Sequence, residues 1–207
     1  MAQQIFPTKA NLMNTKKSLE LAKLGYDLMD RKRNILVREM MRLIDEAKDV
    51  QQQIGEVYAG AYDALKKASL NLGDCSRFAG AIQVDDSVSL DYRSVMGVEV
   101  PTLEIHPRET DVREFGFLAT NSDFDEACRR FNEVKTLTVR LAQIENSVYR
   151  LADAVKKTQK RSNALNNIMI PRLSETVKYI TDALDEKERE DFSRLKVTKR
   201  TKEKKEK

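Results

Sequence analysis

From Leu12 to Ala68 the chain reads LMNTKKSLELAKLGYDLMDRKRNILVREMMRLIDEAKDVQQQIGEVYAGAYDALKKA. Every seventh residue from Leu12 gives Leu12, Leu19, Tyr26, Arg33, Met40, Ala47, Ile54, Ala61 and Ala68. Three residues beyond each lie Thr15, Ala22, Met29, Leu36, Leu43, Val50, Val57 and Ala64. Only Thr15 and Arg33 break the apolar character of the two series. This seam holds for about eight heptads, where three or four already mark a coiled coil. No proline stands between Lys9 and Pro101. The pattern predicts a helix over 8–72, about 95 Å long at the standard rise per residue. Such a helix cannot bury its own seam, so the remainder of the chain must supply a second one.

That second helix is legible from Asn121 onward. Its seam is Phe124, Ala127, Phe131, Val134, Leu137, Leu141, Ile144, Val148, Leu151, Val155, Thr158, Ser162, Leu165 and Met169. The phase then slips, and the apolar residues become Leu173, Val177, Ile180 and Leu184. A four-residue step in place of three is a stutter, which locally unwinds a supercoil. Pro171 sits at the slip, and because the period resumes beyond it a kink is expected in place of an end. The helix is expected over 121–195, and the charged tail 196–207 is expected to be disordered.

The segment 73–120 differs in kind. It holds Gly73, Gly80, Gly97, Gly116, Pro101 and Pro107, and Gly73 follows the last apolar residue of the first helix as a C-cap would. Val84–Val95 partly alternates, and Val98–Ile105 follows across Gly97, which predicts a β-hairpin whose second strand is an edge or irregular one because of Pro101. The segment is a small head, and the helical seam reads as independent of it. The fold class is therefore mainly α: a long antiparallel two-helix coiled coil with a mid-chain head containing a β-hairpin.

The composition agrees. Charged residues make up 34% of the 207, aromatics 6%, and tryptophan is absent, the profile of long helices around a narrow core. The net charge of +4 resides in Lys199–Lys207, where six basic residues meet two acidic ones. The balanced body argues against a nucleic-acid binder. Met1–Thr8 lacks an apolar signal core, and no apolar run is long enough to span a bilayer. Cys75 and Cys128 have no C-x-x-C partners and form no metal or redox motif; a disulfide between them and two reduced thiols of a cytosolic protein both stay open.

Joining two helices through one head makes them antiparallel. The register that fits best sets Arg33 opposite Ser162, Leu43 opposite Leu151, Tyr26 opposite Met169, and the alanines Ala61, Ala64 and Ala68 opposite large residues. It also gathers Arg31, Lys32, Arg33 and Arg38 near Lys156, Lys157, Lys160 and Arg161. This basic collar reads either as a solvated helix surface or as a contact belt for an acidic partner. Catalysis needs convergent polar groups in a concave site, and nothing here predicts one. His106 is alone, Asp85-Asp86 lie in a turn-like setting, and no phosphate-binding glycine loop or metal-ligand spacing occurs. No catalytic, cofactor or metal residue is assigned, and no cofactor is expected.

Five stretches carry more than periodicity. They are Pro7-Thr-Lys-Ala-Asn-Leu12 with Asp30-Arg-Lys-Arg33, Val95-Met-Gly-Val-Glu-Val-Pro101, Lys160-Arg-Ser-Asn-Ala-Leu-Asn-Asn-Ile-Met-Ile-Pro-Arg-Leu173, and Asp185-Glu-Lys-Glu-Arg-Glu-Asp-Phe-Ser-Arg-Leu-Lys196. Together they make the chain resemble the D subunit, the central rotor shaft, of the V-type (archaeal/vacuolar) ATPase and ATP synthase family, over residues 7–196. The resemblance singles out Asn163, Ala164, Pro171 and Arg172 in the shaft and Met96, Gly97, Val98 and Pro101 in the head. It implies a non-catalytic rotor shaft on the cytoplasmic side of a membrane-bound complex, without direct membrane insertion or nucleic acid. The implied partners are the F subunit of the central stalk, the ring of catalytic A and non-catalytic B subunits, and the funnel-shaped subunit above the membrane rotor ring. Apart from the resemblance, the residues also fit a coiled-coil scaffold or tether for acidic partners, and more weakly an RNA-gripping basic arm, whose affinity would fall steeply with salt.

Overall fold

A computed structural model describes residues 6–76, 78, 86–106 and 120–205. Helix α1 runs unbroken over Lys9–Leu72. Thr8 is its N-cap: the Asn11 N–H donates to Thr8 Oγ1 at 3.2 Å, and Asn11 Nδ2 donates to the Phe6 carbonyl. At the other end Gly73 takes φ +76° and returns its N–H to the Ser69 carbonyl, the left-handed stop that glycine adopts without a Cβ penalty.

Strands β1 (Val88–Val95) and β2 (Val98–Ile105) form the expected hairpin, antiparallel, with Val95 paired to Val98 and Val88 to Ile105. β1 begins at Val88; Gly80, Val84, Asp85, Pro107 and Gly116 lie outside the described residues. The two-residue turn Met96-Gly97 has φ +52° and +75°, the sign pair of a type I′ turn, whose twist matches that of the strands. Pro101 fits a regular β2. Two residues on, the Leu103 N–H points away from the ladder to Gln143 Oε1 at 3.0 Å. Alternation puts the missing Pro101 N–H on that same outer edge, so no ladder bond is lost.

The second helical stretch is α2 (Ser122–Ala164), a π-helical turn over Leu165–Met169, and α3 (Ile170–Lys205). Asn121 caps α2, its Oδ1 accepting from the Phe124 N–H at 2.9 Å. The stutter read from the sequence is realised as the π turn, in which the Ile170 N–H reaches back to the Leu165 carbonyl. A π turn inserts one residue, and the backbone at Ala164 and Ile170 on either side is ordinary right-handed helix. The insertion corrects one seam assignment, because Met169 is exposed. The tail is corrected too. Helix continues to Lys205, through residues expected to be disordered. Lys, Arg and Glu are good helix formers, and no glycine or proline interrupts 196–205.

The chain divides into two compact units. One is Asn34–Lys156. In it α1 and α2 pair antiparallel: Tyr58 Oη meets Thr138 Oγ1 at 3.2 Å, Tyr62 packs edge-on against Phe131, and Asn71 hydrogen-bonds Asp123. Leu36, Leu43 and Val50 of α1, Ile144 and Leu151 of α2, and Val100 of β2 form one buried cluster. Val100 is 1% exposed, and Val95 and Val98 pack against the same cluster. The seam is therefore not independent of the hairpin, contrary to the sequence reading: the hairpin contributes a residue to the helical core.

The other unit joins Met1–Arg33 with Lys157–Lys207. Its helices are also antiparallel. Lys9 Nζ lies 3.1 Å from Glu188, Arg33 donates to Gln159 Oε1 at 2.8 Å, and a Cβ on Gly25 would lie 3.8 Å from Leu165 Cδ1. Its buried described residues are Thr15, Thr158, Ser162 and Ile180. A core with three hydroxyl residues and one apolar one is thin. Thr15 satisfies itself by donating to the Asn11 carbonyl at 2.7 Å.

Candidate functional site

Several large apolar side chains of the terminal unit are exposed. Leu21, Leu24 and Leu28 of α1 are more than half exposed, as are Ile168 in the π turn and Tyr179 in α3. Leu21, Leu24 and Leu28 follow a spacing of three and four, which places them along one stripe of the helix. This stripe is separate from the heptad seam, whose register predicts burial elsewhere. A second apolar series offset from the first was visible in the sequence. It escapes attention because a single seam already accounts for a coiled coil.

The basic residues predicted as a collar are divided. In the terminal unit Arg33 is half-buried, paired to Asp30 at 2.6 Å and bonded to Gln159, so it serves the helix pair. Arg31, Lys157, Lys160 and Arg161 are exposed, and Lys32 is half-buried. In the other unit Arg38 and Lys156 are exposed, with Arg38 Nε 3.4 Å from the Asn34 carbonyl. Asn163 bonds Gln159 at 2.7 Å, which links it to the Arg33 contact. Ala164 is the last residue of α2, and Pro171 and Arg172 open α3, all three exposed.

The hairpin is held to the helices by charge as well as by Val100. Glu39 of α1 accepts from Arg42 at 2.9 Å and from Arg93 of β1 at 3.1 Å. The Arg42 hydrogen bond holds the Glu39 carboxyl below its usual range; partial burial opposes this, and the charges of Arg42 and Arg93 reinforce it. Glu46 pairs with Arg42 and, at 2.9 Å, with Arg140 of α2. Arg150 of α2 lies over the Tyr92 ring at 5.4 Å and donates to the Glu99 carbonyl. Lys135 donates to Ser87 Oγ at 2.9 Å at the open end of the hairpin, where His106 Nε2 and Ser89 Oγ are 3.0 Å apart. His106 thus closes the hairpin. Of the other head-motif residues, Met96 and Gly97 form the turn, Val98 packs on the core and Pro101 is buried.

Among the described residues no group of three or more His, Cys, Asp or Glu could hold a metal ion, and no helix is long and apolar enough to cross a membrane. The arrangement defines a class of protein, a mainly helical antiparallel coiled coil with a β-hairpin pinned to its helices.

The sequence profile of the family described as the D subunit of ATP synthase matches residues 11–200, and the chain belongs to that family. It is 45% identical over 194 residues to the V-type ATP synthase D subunit of Thermotoga neapolitana, covering 93% of this chain and 95% of the relative. It is 38% identical over 197 residues to the A-type ATP synthase D subunit of Thermococcus gammatolerans, covering 93% and 92%. It is 34% identical over 200 residues to that of Pyrococcus abyssi, covering 95% and 94%. Membership makes the chain a component of a rotary ATPase of the V-type and A-type group.

Proposed function

We propose that the chain is the central rotor shaft of its complex, a non-catalytic subunit that transmits torque between ATP chemistry in a ring of A and B subunits and ion movement in the membrane. The observation that supports this most directly is the exposed apolar stripe of the terminal unit. Leu21, Leu24 and Leu28 stand outside a helix pair whose own core is thin. A surrounding ring of subunits would cover them while leaving the shaft free to turn. Exposed Arg31, Lys157, Lys160 and Arg161 suit acidic ring surfaces. The unit that carries the hairpin would face the F subunit and the funnel-shaped subunit above the membrane rotor ring. In this reading the protein lies on the cytoplasmic side, peripheral to the membrane.

The reading is tested by fixing the shaft. Lys157→Cys or Arg38→Cys is paired with a cysteine on the nearest ring subunit, in a background lacking Cys75 and Cys128. Oxidation should stop steady-state ATP hydrolysis by the assembled complex, and reduction should restore it, while a single round of nucleotide binding survives. A scaffold fixed to its partner would keep working. Full multi-turnover hydrolysis in demonstrably crosslinked complexes would therefore overturn the rotor reading.

A further inference from the structure

Cys75 and Cys128 lie 53 positions apart in the sequence, yet the fold brings them to one place. Both pack against the same small buried cluster of Ala68, Phe78 and Phe124. Cys75 stands in the short turn that follows α1, where Asp74 ties Ser76 through its backbone N–H and its hydroxyl. Its sulfur is 3.8 Å from Ser69 Oγ and 3.6 Å from the Gly73 carbonyl. Cys128 is one turn beyond Phe124 on α2 and therefore lies on the same helix face, toward the cluster. Both thiols are free and partly accessible.

We infer that Cys75 and Cys128 form an oxidisable dithiol that closes to an intramolecular disulfide in exchange with low-molecular-weight disulfides of the glutathione class. In the first step the Cys75 thiolate attacks the reagent's S–S bond. A mixed disulfide forms on Cys75, and one half of the reagent leaves as a thiolate and takes up a proton. In the second step the Cys128 thiolate attacks the Cys75 sulfur and expels the other half as a thiol. Two protein thiols are oxidised and one reagent disulfide is reduced to two thiols. Burial raises the Cys128 thiol above its ordinary pKa, and the nearby Asp125 carboxylate and Cys75 add to the rise. That places Cys128 in the second, intramolecular step, where proximity compensates for a small thiolate fraction. The product would tie the turn after α1 to α2 and close a long loop around the hairpin, which restricts the unfolded chain.

The test uses the full chain in glutathione buffers of graded oxidation, followed by intact-mass measurement and peptide mapping. The expected result is a monomer that has lost two hydrogens, carries a Cys75–Cys128 linked peptide, and melts at a higher temperature than the reduced chain. The mixed disulfide should stay at roughly a tenth of the level that the Cys128→Ser chain accumulates in the same buffer, because closure within the pair is fast. Two glutathione adducts on the wild-type chain, disulfide dimers between chains, or thiols that remain reduced across the series would each overturn the inference. The wild-type result decides it even where a serine variant folds poorly.

Discussion

Glu39 of α1 and Arg93 of β1 meet at 3.1 Å, and this contact ties the hairpin to the helix beneath it. The same carboxylate also binds Arg42. The Glu39 pKa is lower in the folded chain than in the unfolded one, so the unfolded chain binds the proton more tightly. The stabilising contribution is therefore complete above the unfolded pKa and disappears as pH falls through the depressed folded value. The wild type should become easier to unfold in urea as pH drops below about 4.5, the ordinary glutamate range. Glu39→Gln should be less stable at neutral pH, and the gap between the two proteins should narrow in acid. A gap that widens in acid would contradict the assignment.

Val100 places the hairpin in the helical core, so truncating it should be felt by the helices. Val100→Ala should cost about 1.5–3 kcal/mol of stability, the worth of a fully buried valine side chain and the small cavity it leaves. Chemical denaturation followed by far-UV circular dichroism reads helix loss directly. Deleting 88–105 behind a short linker should lower the midpoint at least as far, because Val95 and Val98 go as well. An unchanged midpoint would show that the hairpin is an appendage.

The turn at Met96-Gly97 carries a local cost. Both residues have positive φ, which glycine tolerates and methionine does not. Met96→Asn should raise stability by about 0.5–1 kcal/mol, since asparagine enters the left-handed region more readily. Gly97→Ala should lower it by about 1 kcal/mol, as the new Cβ meets the same penalty. Thermal midpoints of the two variants should move in opposite directions.

Pro171 lacks an N–H, and its ring conflicts with the carbonyl four residues earlier, at Asn167. The π turn widens the helix just where that conflict falls. The same one-residue insertion sets the phase of α3, and Ile180, wholly buried, depends on it. Pro171→Ala should therefore keep the π turn and leave stability unchanged or slightly raised. A large loss of stability would mean that the proline ring itself is a packing element.

The helices, the stop at Gly73 and the antiparallel pairing are legible in the sequence because heptad spacing and a glycine after the last apolar residue are local signals with direct physical meaning. The stutter is legible as a phase slip, but a slip does not say that the extra residue will be taken up in a π turn over Leu165–Met169. Val100 is not legible as a core residue, because alternation within a strand does not tell which helix lies against it. Arg33 looks like a collar charge until Asp30 and Gln159 are seen to hold it. Helix beyond Lys196 is hidden because a run of like charges resembles a disordered tail, even where every residue tolerates helix.

Leu21, Leu24 and Leu28 separate folding from assembly. None belongs to a buried cluster of the described residues, so replacing all three by serine should change the stability of the isolated chain by no more than about 0.5 kcal/mol per site, the usual range for surface substitutions. Serine is a poorer helix former than leucine, and the small loss it brings is part of that range. If a surrounding ring covers the stripe, the same variant should lose burial of three leucines in the complex, at roughly 1.5–3 kcal/mol each for full burial. The expected outcome is a normally folded chain that fails to remain with the ring subunits during size-exclusion chromatography. Ile168→Ser and Tyr179→Ser, at the exposed positions of the π turn and α3, should act in the same direction. A triple-serine chain that assembles and supports hydrolysis as well as the wild type would show that the ring does not seat on this stripe. Unfolding of the isolated triple variant would show instead that the leucines belong to the core of the terminal unit.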